Sequence, residues 1–308
     1  MLILVDGVDC ARKSSLVERL AERVRRANPG EQVDVWHAGP PTKHPLDEYV
    51  VPLLDYRPFT RRHVICDRWH LGESIYPNVF DRPTRFDQGV QAYTELFLRS
   101  RGALLVHVDA ADADVEDCLR TRGDDLVDAS QASSILWQFR NRASVSLLPT
   151  LVVQGFEASN ADVHGIYSRA LALDFASRAL NPFTTYVGSR RPSTLLLGDV
   201  RHKHVKGEPN LLPAFMPYGA TSGHYLLSQL VGRYGFQILK HVGLANACDD
   251  DDHEALWTLL GKPPTVALGR RAGKRTPWAT RSVAHPQFRR RFKHAEGAAY
   301  AEEVLDGS

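Results

Sequence analysis

A chain of 308 residues with a formal net charge of +2 has room for two domains, and its overall charge argues neither for nor against a polyanionic partner. Hydrophobic and charged shares of 43% and 24% describe a soluble globular protein. The four cysteines, Cys10, Cys66, Cys118 and Cys248, form no C-x-x-C pair and have no histidine at ligand spacing, which argues against zinc and iron–sulfur centres and for reduced thiols. No apolar run approaches membrane-spanning length, and no basic flank or cleavage site precedes the first strand. The expectation is a cytoplasmic protein with no membrane partner.

The chain opens on the apolar run Leu2-Ile3-Leu4-Val5, then Asp6-Gly7-Val8-Asp9-Cys10-Ala11-Arg12-Lys13-Ser14-Ser15, then a helical pattern from Leu16. Strand, loop and helix in that order make a phosphate cradle. The spacing is that of G-x-x-x-x-G-K-[ST], with Arg12 standing where the second glycine belongs. Backbone N–H groups at a helix N-terminus answer the charges of a nucleoside triphosphate such as ATP, so Gly7, Val8, Cys10, Ala11, Arg12, Lys13, Ser14 and Ser15 are the candidate phosphate-binding residues. Gly7 permits a tight turn, Lys13 brings a point charge to the β- and γ-phosphates, and the Ser14 hydroxyl is placed to ligand Mg²⁺. Arg12 either crowds the phosphate or offers it a second cation; the sequence leaves both open.

Leu4-Val5-Asp6-Gly7-Val8-Asp9 followed by Lys13-Ser14-Ser15 resembles the thymidylate kinase branch of the nucleoside monophosphate kinases. The resemblance implies ATP and Mg²⁺, a deoxynucleoside monophosphate acceptor and a homodimer. It also implies that Asp9 lies near the acceptor sugar or the arginine that holds the acceptor phosphate.

Apolar residues at 16, 17, 20 and 24 predict a helix that Asn28-Pro29-Gly30 stops, and Val33 to Trp36 predict a second strand. The breaker-rich His37-Ala38-Gly39-Pro40-Pro41 would follow at a strand's carboxyl end, where ligands collect in open α/β sheets. His63-Val64-Ile65-Cys66-Asp67-Arg68-Trp69 reads as a buried strand ending in an acid, a base and an aromatic. There Arg68 can clamp an acceptor phosphate, and Asp67 can orient it or hold a metal-bound water. Asp-Arg-aromatic with Glu73-Ser74-Ile75-Tyr76 behind it resembles the monophosphate kinase motif and adds Trp69 as a substrate contact.

A helix over 88–99 with Val90, Tyr93, Leu96 and Phe97 on one face leads to a strand over 103–109, in which His107 reads as a packed core residue. Cys118 to Asp125 looks like the arginine-bearing lid of such kinases, with Arg120 and Arg122 as alternative charge-neutralising residues. A helix over 132–148, a strand over 150–153 and a helix over 162–180 complete a doubly wound parallel sheet.

The pattern then restarts. Pro192 to Asp199 is a strand running into a glycine and an acid; a basic loop, Phe215 and a helix from Ser222 follow. Strands over 242–247 and 265–269, then Ser282 to Gln287 and Arg289-Arg290-Arg291, complete a second, smaller α/β unit. This order resembles the uracil-DNA glycosylase superfamily over about 190–305. The resemblance implies that Asp199 positions water or steadies a sugar cation, Phe215 stacks on an extruded base, Asn246 reads its edge and His285 stabilises the departing base. The basic segments would suit DNA phosphates. The proline that usually follows the acid is missing.

The sequence therefore predicts a P-loop kinase domain over 1–180 and a uracil-DNA glycosylase-like domain over 181–308. Two rivals stand beside phosphoryl transfer to a free nucleotide: a nucleic-acid-binding protein whose loop has lost turnover through Arg12, and a kinase acting on a modified base within DNA.

Overall fold

The computed structural model describes residues 1–122, 127–199, 212–219, 221–247, 252–292 and 297–307. The elements run β1 (Leu2–Asp6), α1 (Lys13–Ala27), β2 (Gln32–His37), α2 (Pro45–Tyr49), β3 (Arg62–Asp67), α3 (Tyr76–Val79), α4 (Gln88–Ser100), β4 (Leu104–Asp109), α5 (Asp112–Arg122), α6 (Ala132–Ser144), β5 (Thr150–Gln154) and α7 (Asn160–Ser177). They continue with β6 (Val187–Gly188), β7 (Thr194–Gly198), α8 (Ser222–Tyr234), β8 (Val242–Asn246), α9 (His253–Leu259), β9 (Thr265–Leu268), α10 (Arg270–Arg275), β10 (Arg281–Val283), α11 (Pro286–Phe292) and α12 (Gly297–Leu305).

Two compact units result, and their division is not the single boundary near residue 180 read from the sequence. The first comprises Met1–Tyr49, Tyr56–Phe86 and Arg101–Arg178; the second takes Val50–Asp55, Asp87–Ser100 and Ala179–Ser308. Helix α4 accounts for most of the difference. Besides Val90, Tyr93, Leu96 and Phe97 it buries Gln91, Thr94 and Glu95, so it is not a one-faced helix lying on a sheet. Within the second unit it packs on α8 and β6, and the Tyr93 hydroxyl donates to the Ala214 carbonyl (2.9 Å).

The first unit carries a five-stranded sheet in the order β2-β3-β1-β4-β5, parallel throughout. All of β1 and nearly all of β3 and β4 are buried, which is why they read as continuous apolar runs rather than alternating ones. Leu16, Val17, Leu20, Ala21 and Val24 form the buried stripe of α1, each larger member contributing about 1.5–3 kcal/mol. The chain passes from β1 to β2 and β3 on one side, then crosses to β4 on the other. The β1 carboxyl end therefore lies at the topological switch, where open sheets bind ligands.

The second unit repeats the device with the order β10-β9-β7-β8-β6. Strands β7 to β10 are parallel, and the short β6 pairs antiparallel to β8. The carboxyl end of β7 stands at its switch point. Leu195, Leu197, Ala245 and Ala267 form its core with Tyr186, Leu256 and Leu260.

Candidate functional site

Between β1 and α1 the backbone is held in an unusual run of conformations. Gly7 has φ 155°, Cys10 67° and Arg12 63°. An added Cβ on Gly7 would meet the Val108 carbonyl oxygen at 2.3 Å, so this turn lies hard against β4 and admits no side chain. Arg12 occupies the left-handed region that normally calls for glycine, at a cost of about 1–3 kcal/mol. Its side chain neither fills the cradle nor turns inward: it is exposed, and its guanidinium lies over the Phe156 ring, 5.3 Å from the centroid.

A cavity of about 290 Å³ opens here, lined by Asp9, Cys10, Arg12, Lys13, Ser14, Ser15, Arg68 and Cys118. Lys13 is 5% exposed, and its ammonium is held by the Val8 carbonyl and, at 3.6 Å, by Asp9. Burial pulls its pKa below the ordinary lysine range, against the pull of Asp9. Val8 and Ala11 are buried members of the turn that shape it through their backbone.

Asp9 joins three groups. It pairs with Arg68 at 2.6 Å, approaches Lys13, and accepts from the Tyr76 hydroxyl at 3.2 Å. Burial and the Asp9 charge keep Tyr76 protonated, as a donor must be. Arg68, with φ 62°, begins the loop after β3, whose path is fixed by Asp6: one Asp6 oxygen accepts from Gly7 N (3.0 Å), the other from Trp69 N and Leu71 N (3.2 Å each). Burial raises the Asp6 pKa, and the nearby Lys13 ammonium, followed by the Gly7 and Trp69 N–H groups, works against that rise.

Asp67, at the end of β3, accepts from Ser14 Oγ at 3.0 Å and lies 3.2 Å from His37 Nδ1; its other oxygen is buried without a hydrogen-bond partner among the described residues. A hydroxyl beside a carboxylate with a spare oxygen suits a hard divalent cation that keeps several waters. Among the described residues no three His, Cys, Asp or Glu side chains cluster to hold a metal unaided.

The remaining sequence candidates of this unit are placed differently. Trp69 is buried against Trp36 and Tyr49, with ring centroids 6.1 and 5.6 Å away, and packs there instead of lining the cavity. Arg120 pairs with Glu116 at 3.1 Å on an exposed helical turn, away from the cavity lining. Arg122 ends α5, and the rest of the expected lid, residues 123–125, lies outside the described residues, as do Cys248 and the basic loop from Arg201 to Lys206. His107 is buried and stacked on Phe139, and burial keeps it neutral.

In the second unit a cavity of about 360 Å³ is lined by Asp199, Phe215, Asn246 and His285, the four residues read from the sequence, together with Arg271, Gln287 and the Thr221–Gly223 entry to α8. They meet because Asp199 directly follows β7 and Asn246 ends the adjacent parallel β8, Gly198 pairing with Asn246, and because His285 follows β10. Gly198 must be bare: a Cβ there would stand 2.5 Å from the Phe215 ring and 2.9 Å from Asn246 Oδ1. Asn246 is 2% exposed, and its Nδ2 has no hydrogen-bond partner among the described residues. One Asp199 oxygen accepts from Ala272 N at 2.6 Å. His285 Nδ1 accepts from Gln287 N at 3.2 Å, which leaves the ring proton on Nε2, and burial lowers its pKa. Of the basic run, Arg289 is taken by Glu303 and the Tyr300 ring.

Sequence reasoning missed Tyr76 as a partner of Asp9, His37 as a neighbour of Asp67, Phe156 and Arg271. The Gly155-Phe156 step directly after β5 was a readable signal, since it stands at a strand's carboxyl end.

No protein-family model and no curated protein matches the sequence. Solved structures that resemble it include the YorR protein of Bacillus subtilis in complex with phosphorylated GDP (19% identity, 57% of this chain and 98% of that one, TM-score 0.42). A deoxyadenosine kinase from M. mycoides with bound dCTP matches at 13% identity over 56% of this chain and 100% of its own, TM-score 0.35. Polyphosphate kinase 2 from Arthrobacter aurescens matches at 14% identity over 59% and 68%, TM-score 0.39. At these identities and scores they lend nothing to the chemistry, which is taken from this chain's own geometry.

Proposed function

We propose that the first unit transfers the γ-phosphoryl group of ATP to a deoxynucleoside monophosphate, in the manner of thymidylate kinase. The observation that carries this reading is the line of charges across one cavity: the buried Lys13 ammonium, then Asp9, then Arg68. Lys13 and the N-terminus of α1 receive the donor's phosphates. Arg68, oriented by Asp9 and through it by Tyr76, holds the acceptor phosphate opposite them. Mg²⁺ would be held by Ser14 and Asp67 and would supply further charge neutralisation. A monophosphate acceptor already presents an anionic oxygen, so alignment and charge neutralisation suffice without a general base. That agrees with Asp9, whose interactions with Arg68, Lys13 and Tyr76 occupy it. A hydroxyl acceptor on a base within DNA would require a carboxylate free to take its proton, and the spare Asp67 oxygen is the one that Mg²⁺ would occupy.

For the second unit we propose recognition of a nucleobase. Its support is Asn246, whose buried Nδ2 calls for an acceptor such as a ring carbonyl, beside the Phe215 ring and the neutral His285. With one oxygen of Asp199 engaged by Ala272, excision of that base requires the other to position water.

The test is a radiolabelled-ATP assay over the dNMPs, uridine nucleotides and a short oligonucleotide, with nucleobase release followed in parallel. Diphosphate formation that disappears in Lys13→Ala supports the kinase. Label entering only the oligonucleotide transfers the activity to DNA. No turnover with salt-dependent DNA binding leaves a binding protein.

A further inference from the structure

The replacement of the usual glycine by Arg12 has built something. Phe156 is 38% exposed, high for so large an apolar ring, and it is not loosely hung. Gly155 before it lies so close to the cradle that an added Cβ would sit 1.9 Å from the Ala11 carbonyl oxygen, and its N–H donates to the Asp109 carbonyl at 2.8 Å. The aromatic is thus fixed beside the phosphate-binding turn. On the cradle side, the left-handed backbone at residue 12 turns the arginine away from the loop interior, and its guanidinium covers the Phe156 ring. Arg12 also lines the cavity that holds Lys13. Two flat groups, one aromatic and one cationic, therefore stand at the rim of an anion site. Because Arg12 and Lys13 line the same cavity, a group joined to phosphates at Lys13 has this rim within reach.

We infer that the Arg12–Phe156 pair is the platform on which the donor's base stacks, and that it makes the site prefer a nucleoside triphosphate to a bare polyphosphate. The inference rests on the phosphate-cradle reading and adds the residues that select the donor. A guanidinium backed by a benzyl ring offers a nucleobase both π-stacking and cation–π attraction, and neither depends on the phosphates. Arg12 accordingly serves the base and not, as a second cation, the phosphate.

The experiment measures equilibrium binding of ATP and of inorganic tripolyphosphate to the full chain and its variants. Phe156→Ala should weaken ATP about tenfold, within the range of stacking losses on alanine substitution, and leave tripolyphosphate unchanged. Phe156→Trp should restore ATP. Arg12→Gly, which also relieves the left-handed strain but removes a cation from the cavity lining, should weaken ATP more than it weakens tripolyphosphate. Unchanged ATP affinity in Phe156→Ala overturns the platform, and so does an Arg12→Gly variant that loses tripolyphosphate as much as ATP. If the parent chain does not bind tripolyphosphate, or binds it as well after Lys13→Ala, the cradle reading itself fails and takes the platform with it.

Discussion

Replacing Asp9 by asparagine should loosen the fold and tighten anion binding at once. Asp9 lies 3.6 Å from the Lys13 ammonium, which is almost wholly buried. At an effective dielectric of about 20 that separation gives roughly 5 kcal/mol of gross attraction. The Val8 carbonyl retains part of the ammonium's bonding, and water entry offsets more, so the net loss should be about 2–3 kcal/mol. The Arg68 partner adds little despite its 2.6 Å contact, because its side chain is 43% exposed. A loss of that size lowers the melting temperature of the first unit by about 5–10 °C. Lys13, stripped of its counter-ion, should then bind tripolyphosphate about five- to tenfold more tightly, corresponding to about 1–1.4 kcal/mol. Turnover should fall, since Arg68 loses the group that aims it. Thermal unfolding with and without ligand, a tripolyphosphate titration and steady-state rates read the three effects. An Asp9→Asn variant with unchanged stability and weaker tripolyphosphate binding would refute the reasoning.

Three further outcomes follow from the same geometry. Burial lowers the Lys13 pKa, and a phosphate ligand favours the charged form. Affinity should therefore hold at lower pH and decline as pH rises through that lowered value, before the ordinary lysine range of about 10.4 is reached; an isothermal titration series in pH checks it. Gly155→Ala drives a methyl group into the Ala11 carbonyl and should cost about 1–3 kcal/mol in thermal stability while weakening ATP binding. Burial also lowers the folded pKa of His285, so the unfolded chain takes up the proton first. Its contribution to stability is complete above about pH 6.5 and is lost as pH falls below that toward the folded value; His285→Gln should flatten the denaturation profile there.

The strands were legible because their residues are physically unambiguous: Leu2 to Val5, Val64 to Cys66 and Leu104 to Val106 are apolar runs too short for a helix and buried on both faces. The positions of Asp9, Arg68, Asp199, Asn246 and His285 were legible for a related reason, since each follows or ends a strand and parallel strands deliver their carboxyl ends together. Ownership of a helix is another matter. The apolar stripe of α4 was visible, but its partner is α8, far along the chain, and only the burial of Gln91, Thr94 and Glu95 shows that it is enclosed. Side-chain direction was equally hidden. Nothing in the string Ala11-Arg12-Lys13 says that residue 12 adopts φ 63° and sends its guanidinium to Phe156, more than a hundred residues away. Helix ends drifted where no breaker stood: α6 stops at Ser144, short of the 132–148 span its apolar pattern predicts.

The whole account turns on whether a cradle with arginine in place of its second glycine still receives phosphates. A crystal structure after soaking with a non-hydrolysable ATP analogue tests this most directly. The account predicts triphosphate density between Lys13 and Ser14, with the Arg12 guanidinium remaining outside the loop. A cradle closed by Arg12 and empty after a soak in a large excess of the analogue would contradict it.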